Sequence, residues 1–154
     1  MNKLTTLISK ALFIAAATTT LFGYSISARA QASDSPVGLW KTIDDETKQA
    51  RSLVRISESN GVVTGKVEKL LTPGRENAVC SACEGDLKDK PITGMTILSG
   101  MKKNDDVYDG GTIFDAGKGK TYRSRLKVVD GGKQLEVRGY VGPVYRTQVW
   151  VREQ

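Results

Sequence analysis

Residues 50–71 read ARSLVRISESNGVVTGKVEKLL, two β-rich runs on either side of an Asn60-Gly61 pair. Apolar and polar residues alternate in both runs, which is the two-residue period of a half-buried strand. Asn and Gly both accept positive φ angles, so this pair favours a tight hairpin. The stretch therefore predicts two antiparallel strands, Ala50 to Ser57 and Val62 to Leu71.

The same pattern continues on both sides of this hairpin. β-Rich runs are separated by short turns, and none of them has the apolar stripe of an amphipathic helix. Sequential strands favour a meander, and closing the meander removes its exposed edges. We therefore expect an all-β fold, an eight-stranded up-and-down antiparallel barrel, with a β-sandwich as the alternative. The other predicted strands are Gly38 to Asp44, Ile92 to Lys102, Val107 to Phe114, Lys120 to Val129, Lys133 to Val141 and Tyr145 to Arg152.

The first 30 residues differ in composition from the rest. Lys3 and Lys10 precede a short apolar run, and Ala28-Arg29-Ala30 offers small residues at the positions that a signal peptidase reads. Charge, apolar core and cleavage site in this order predict a signal peptide over residues 1–30 rather than a membrane anchor. We expect cleavage before Gln31, with Ser33 as the second choice.

Cleavage fixes the expected compartment and domain organisation. We expect an exported protein, placed in the periplasm, with no transmembrane segment after cleavage. Residues 31–36 would form a short flexible N-terminus and residues 37–154 a single β-barrel domain. The whole chain has 23 basic and 17 acidic residues. Three basic residues leave with the signal peptide, so the remaining charge is about +3, which does not indicate a nucleic-acid partner.

A long segment without periodicity, Thr72 to Pro91, contains both cysteines, Cys80 and Cys83. At about 20 residues it exceeds the usual loop length, which is typical of a functional or cross-linked loop. In an oxidising compartment the expected state of the two cysteines is a disulfide. A redox-responsive pair and a metal site are the alternatives. The chain has no histidine, so a metal site would lack ligands and a histidine-based catalytic triad is excluded. We expect no metal and no cofactor.

The acidic pairs Asp44-Asp45 and Asp105-Asp106 lie in predicted turns. Aspartate is common in turns because its side chain bonds to nearby backbone N–H groups. We therefore interpret both pairs as turn residues rather than as catalytic or calcium-binding groups.

Two late strands carry a pattern of aromatic and cationic residues. If the faces that carry it point inwards, the barrel interior would suit a small polar or anionic ligand. The alternative is that these side chains are solvated and cover the outer wall with their aliphatic stems. The candidate ligand-binding residues are Trp40, Arg55, Arg138, Tyr140, Gln148, Trp150 and Arg152.

Two family resemblances follow from these motifs. Gly38-Leu39-Trp40 and Arg152 resemble the Gly-x-Trp and terminal arginine of the calycin superfamily, where the tryptophan plugs one barrel end and the arginine packs on its ring. Over about residues 35–152 the chain resembles a bacterial exported family, domain of unknown function 2147. The segments that carry this second resemblance are GLWKTIDDETKQARSLVRI, CSACEGDLKDKPITGM, GKTYRSRL, LEVRGYVG and RTQVWVRE. It implies a calycin-like barrel in the bacterial envelope and no particular activity.

Three functions agree with these observations. The first is a non-catalytic small-ligand-binding or envelope-maintenance barrel. The second is a protein-interaction module in which the Cys80-Cys83 loop contacts an envelope partner. The third is a carboxylate-based enzyme acting on envelope components.

A closed barrel also predicts one contact. Its first and last strands must pair, so we expect Trp40 to pack against Arg152, or as second choice Arg146.

Overall fold

The computed structural model describes residues 34–153. The predicted signal peptide and both predicted cleavage positions lie outside this range. No helix formed by the described residues is long and apolar enough to cross a membrane. The strands are β1 (Gly38–Ile43), β2 (Ala50–Ser59), β3 (Val62–Leu70), β4 (Thr96–Asn104), β5 (Val107–Asp115), β6 (Lys120–Val129), β7 (Gln134–Val141) and β8 (Val144–Glu153).

The eight strands form a closed antiparallel barrel in which each strand pairs with its neighbours along the chain. Closure is made by β1 and β8, which pair from Leu39 opposite Glu153 to Lys41 opposite Val151. The predicted up-and-down barrel is confirmed. The β-sandwich alternative is wrong, because a strand pair joins the two ends of the meander.

The predicted hairpin at Asn60-Gly61 is present. Both residues have positive φ, 51° at Asn60 and 74° at Gly61. β2 continues two residues further than predicted, because the tight turn leaves Ser59 paired with Val62. Local turn chemistry thus sets the register of β2 and β3.

Alternate residues of the strands fill the barrel. The inward-facing side chains are apolar along most of the barrel's length, and two of them are tryptophans. The core consists of Trp40, Val54, Ile56, Val63, Leu98, Met101, Tyr108, Leu126, Leu135, Val137 and Trp150.

Residues 71–95 connect β3 to β4 and pack as a unit. The strand predicted from Ile92 begins only at Thr96. Ile92 and Met95 instead pack against the buried side chains of Cys80 and Cys83 in a second apolar cluster. The two cysteine Cα atoms are 5.3 Å apart, within the range of a disulfide. The predicted disulfide therefore has a matching geometry, and it cross-links this connection.

Replacing both cysteines with alanine is expected to lower the free energy of unfolding by about 2 kcal/mol, because a very short ring restricts the unfolded chain only weakly. Urea unfolding of the variant and of the oxidised wild type measures this difference. Loss of the folded barrel in the variant, or rapid alkylation of both residues in the native wild type, would contradict the assignment.

Candidate functional site

One end of the barrel is filled by Trp40. This end, which we call the closed end, carries the start of β1, the end of β8 and a short 3-10 turn at Asp130–Gly132. The Trp40 side chain is fully buried. Its indole Nε1 donates a hydrogen bond to the carbonyl oxygen of Pro36 at 2.7 Å. The tryptophan thus plugs the end with its polar atom satisfied.

Arg152 covers this plug from β8. Its guanidinium carbon lies 4.2 Å from the centre of the Trp40 ring. Its three nitrogens donate to the carbonyl oxygens of Gly132 (2.5 Å), Val37 (2.8 Å) and Ser35 (2.8 Å). Burial lowers the pKa of Arg152, although an arginine in a protein stays protonated. The predicted contact of Trp40 with Arg152 is confirmed.

The same contacts hold part of the segment predicted to be flexible. Ser35 accepts the hydrogen bond from Arg152, and Pro36 accepts the one from Trp40. Arg146, the second choice as a partner of Trp40, instead forms an ion pair with Asp45, at 2.6 Å between its terminal nitrogen and the carboxylate.

Two candidate ligand residues of β7 face outwards, which is the alternative that the sequence left open. Leu135 and Val137 enter the core, so Arg138 and Tyr140, which alternate with them, lie on the outer wall. The Arg138 guanidinium carbon lies 4.3 Å from the ring centre of Tyr145 on β8. This contact between Arg138 and Tyr145 is made on the outer wall. The residues that alternate with the core therefore pack against each other outside the barrel.

Arg55 also faces outwards and does not line the barrel interior. Its neighbours Val54 and Ile56 are in the core. Its Nε and terminal nitrogen donate to the two carboxylate oxygens of Glu68 at 2.7 and 3.1 Å. These hydrogen bonds lower the pKa of Glu68 and raise that of Arg55. The pair crosses the outer surface of β2 and β3, where it is open to solvent.

The barrel interior becomes polar towards the other end, which we call the mouth and which carries the β1–β2, β3–β4, β5–β6 and β7–β8 connections. Thr42 follows Trp40 on the inner face of β1 and shares a 2.8 Å hydrogen bond with Ser52. Ser124 of β6 is buried and donates to the carbonyl oxygen of Arg138 at 2.9 Å. Sequence reasoning missed all three hydroxyl residues, because Ser and Thr on a strand do not by themselves indicate which face they occupy.

The remaining two candidates, Gln148 and Trp150, do face inwards. Gln148 stands opposite Val137, and Trp150 opposite Leu135; directly opposed residues share a face. Gln148 is only half-buried. Trp150 is 1% exposed, yet no hydrogen-bond partner for its Nε1 is found in the described part of the chain. A buried N–H group without an acceptor is rare and calls for an explanation.

The acidic pair in the first turn behaves as a turn element. The Asp44 carboxylate accepts hydrogen bonds from the backbone N–H groups of Glu46 (3.0 Å) and Thr47 (2.8 Å). These bonds lower the pKa of Asp44. Asp106 of the other pair forms a 2.7 Å ion pair with Lys127. Both arrangements agree with the turn interpretation and leave no pair of free carboxylates at these turns.

The closed eight-stranded antiparallel barrel, plugged by a Gly-x-Trp tryptophan under a terminal arginine, places the molecule among lipocalin-like barrels. The chain belongs to a family described as "Uncharacterized protein conserved in bacteria (DUF2147)", whose model matches residues 38–152. The family resemblance of the sequence is thereby confirmed.

A solved structure supports the same fold. The chain is similar to protein HP1028 from the human pathogen Helicobacter pylori, with a TM-score of 0.66 and 23% sequence identity. HP1028 is described as belonging to the lipocalin family. The match covers 77% of this chain and 82% of HP1028. At this identity the likeness shows the fold. None of the curated proteins matches the chain.

Proposed function

We propose that this protein is an exported, non-catalytic binding protein of the bacterial envelope that takes a small polar or anionic ligand into the mouth of its barrel. The observation that carries the proposal is the buried Trp150 Nε1 without a hydrogen-bond partner among residues 34–153. A ligand that presents an oxygen acceptor would satisfy this donor.

The surroundings of Trp150 favour a small ligand. Eight-stranded barrels are wide enough to be filled by side chains or to hold one small molecule. Here buried apolar side chains surround Trp150, and the inward-facing polar residues Thr42, Ser52, Ser124 and Gln148 lie nearer the mouth. A few polar groups beside an apolar lining are typical of a binding site for a small polar molecule.

Export is part of the proposal and rests on the N-terminal sequence. A charged start, a short apolar run and Ala28-Arg29-Ala30 are the features that a signal peptidase requires. The disulfide geometry of Cys80 and Cys83 agrees with an oxidising compartment such as the periplasm.

Native mass spectrometry of the protein purified from the envelope fraction is the test. We expect a retained small molecule, and a chain that begins at Gln31 or Ser33. Trp150→Phe keeps an aromatic ring and removes the N–H, so it is expected to lower ligand occupancy by about tenfold, as for the loss of one buried hydrogen bond.

The matched control is Tyr140→Phe, which removes a polar group from the outer wall and should leave occupancy unchanged. A wild-type protein without a bound molecule, or equal occupancy in Trp150→Phe and wild type, would reject ligand binding at this donor. An intact Met1 in a cytoplasmic pool would reject export.

One observation favours a second function, an interaction module that acts through residues 71–95. Val79 and Leu87 of this connection are exposed apolar side chains, at 41% and 42%. Exposed apolar residues on a cross-linked loop suit contact with an envelope protein. Replacing both with serine should abolish co-purification of such a partner and leave ligand occupancy unchanged. Asp44, Asp45 and Asp106 are already bound to backbone N–H groups, Arg146 and Lys127 respectively, so these turns give the carboxylate-enzyme hypothesis no support.

A further inference from the structure

The tip of the β7–β8 hairpin is unusually apolar for an exposed surface. We call residues 140–145, YVGPVY, the hairpin tip. Val144 is 68% exposed, Val141 64% and Tyr145 55%, and these are the three most exposed large apolar side chains that the described residues contain. Monomeric soluble proteins rarely leave contiguous apolar residues so open, so such a patch marks an interaction surface.

The tip is also firmly built. Val141 pairs with Val144 across a two-residue turn made by Gly142 and Pro143. Gly142 has a φ of 57°, the positive value that a type II′ hairpin needs at its first turn position. Pro143 has no backbone N–H group. The turn therefore has one backbone N–H donor fewer than other turns. This lowers the free-energy cost of placing it in an apolar environment, where unpaired backbone groups are costly.

Two arginines lie against the tyrosines at the base of the tip. Arg123 of β6 lies 5.6 Å from the ring centre of Tyr140, and Arg138 lies 4.3 Å from that of Tyr145. The Arg138 Nε also donates to the Thr147 hydroxyl at 3.1 Å. Between Glu136 and Glu153 the chain contains no acidic residue, but Arg146 in this segment forms an ion pair with Asp45 of the β1–β2 connection. The polarity of the hairpin therefore increases with distance from the turn. The valines come first, then the tyrosines, and then the arginines.

We propose that the hairpin tip docks into the surface of a lipid bilayer that carries anionic phospholipid headgroups. Valines at the tip would enter the acyl boundary, and tyrosines suit the depth of the headgroups, where amphipathic aromatic rings concentrate. The arginines would meet the phosphates, which they bind through several donors at once. An apolar patch alone would fit a protein partner equally well. The two arginines beside it, Arg123 and Arg138, fit a phosphate surface.

This docking also sets an orientation. The β7–β8 turn lies at the mouth of the barrel, on the side opposite to the Trp40 plug. A protein held by this tip would turn its mouth towards the bilayer. The inference does not depend on ligand binding in the barrel, since it uses only residues outside the interior.

Vesicle flotation tests the proposal. We expect the wild-type protein to float with vesicles of phosphatidylethanolamine and phosphatidylglycerol. Binding should weaken with added salt, because screening reduces the attraction of arginine to phosphate. It should be far weaker with vesicles of phosphatidylcholine alone. All proteins compared carry the same N-terminus, so a difference in binding comes from the substituted positions.

The deciding variant is V141D/V144D, which puts charges at the end of the tip. It is expected to reduce partition into the anionic vesicles by about tenfold or more, since interfacial binding scales with the apolar area buried. V141L/V144L keeps the apolar end and should retain binding. Val37→Asp changes an exposed valine at the closed end and should also retain it. Thermal unfolding should show all variants folded.

Two results would overturn the proposal. One is equal flotation of V141D/V144D and wild type. The other is a wild-type protein that does not bind anionic vesicles and is a dimer in solution, while V141D/V144D is a monomer. The tip would then contact a second copy of this chain.

Discussion

Replacing Trp40 with alanine is expected to lower the free energy of unfolding by about 3–5 kcal/mol, the range for large buried aromatic side chains. Trp40 is fully buried and stands between Val54 of β2 and Arg152 of β8. Alanine would open a cavity at the closed end. It would also remove the hydrogen bond to Pro36 and the surface on which the Arg152 guanidinium lies. Because a domain of this size has about 5–15 kcal/mol of stability in total, this loss would be a large share of it.

Urea unfolding followed by far-ultraviolet circular dichroism measures the effect without relying on tryptophan emission. Tyr145→Ala is the matched control, since it removes an aromatic ring that is 55% exposed. A surface change of this kind is expected to cost less than about 1 kcal/mol. If Trp40→Ala lowered the free energy of unfolding no more than Tyr145→Ala, Trp40 would not be a major source of the barrel's stability.

The barrel itself could be predicted because its evidence is local. The Asn60-Gly61 turn fixes the pairing of β2 with β3, and short connections favour the pairing of the other neighbours except β3 and β4, which residues 71–95 join. Once the chain is a meander of eight strands, closure places the first strand beside the last. Trp40 then had to lie near Arg152. Each step follows from turn chemistry or connectivity, which the sequence displays directly.

The candidate site could be predicted only in part, because alternation defines two faces of a strand and does not say which is inside. Arg138 and Tyr140 share a face with regular spacing, but the opposite face of β7 brings Leu135 and Val137 into the core. Arg55 has its carboxylate partner, Glu68, on the next strand, a pairing that depends on register. On β8 the alternation left both faces equally open, and the structure places Gln148 and Trp150 on the inner one.

The three buried hydroxyl residues towards the mouth were missed for a related reason. Thr42, Ser52 and Ser124 satisfy one another or a backbone carbonyl across strands. Such pairs depend on the register of neighbouring strands, so no local sequence pattern predicts them. Trp150 shows the opposite case, because its indole N–H lacks a partner in the part of the chain that the structure describes. That property emerges from the packed barrel alone.

Replacing Arg152 with methionine is expected to lower the free energy of unfolding by about 2–3 kcal/mol, the range for losing hydrogen bonds made by a charged donor. Methionine retains an apolar cover over the Trp40 ring. It removes the donors to the carbonyl oxygens of Ser35, Val37 and Gly132, which tie the start of β1 and the turn before β7 to β8. Chemical unfolding of the variant measures this loss, and an unchanged midpoint would show that these carbonyls are satisfied equally well by water.

Gly38→Ala provides the cross-check, because the glycine of the Gly-x-Trp motif leaves room for this guanidinium. A Cβ at position 38 would lie 2.6 Å from the nearest terminal nitrogen of Arg152, and Gly38 has a φ of +143°. In the wild type the alanine should both strain the backbone and displace the arginine. Where Arg152 is already methionine, only the backbone strain of about 1–3 kcal/mol remains. The double variant should therefore be more stable than the two single losses predict, by about 1–2 kcal/mol, as for residues in direct contact. Strict additivity would mean that Gly38 is required for its backbone angle alone, and that the arginine occupies its place on Trp40 independently of it.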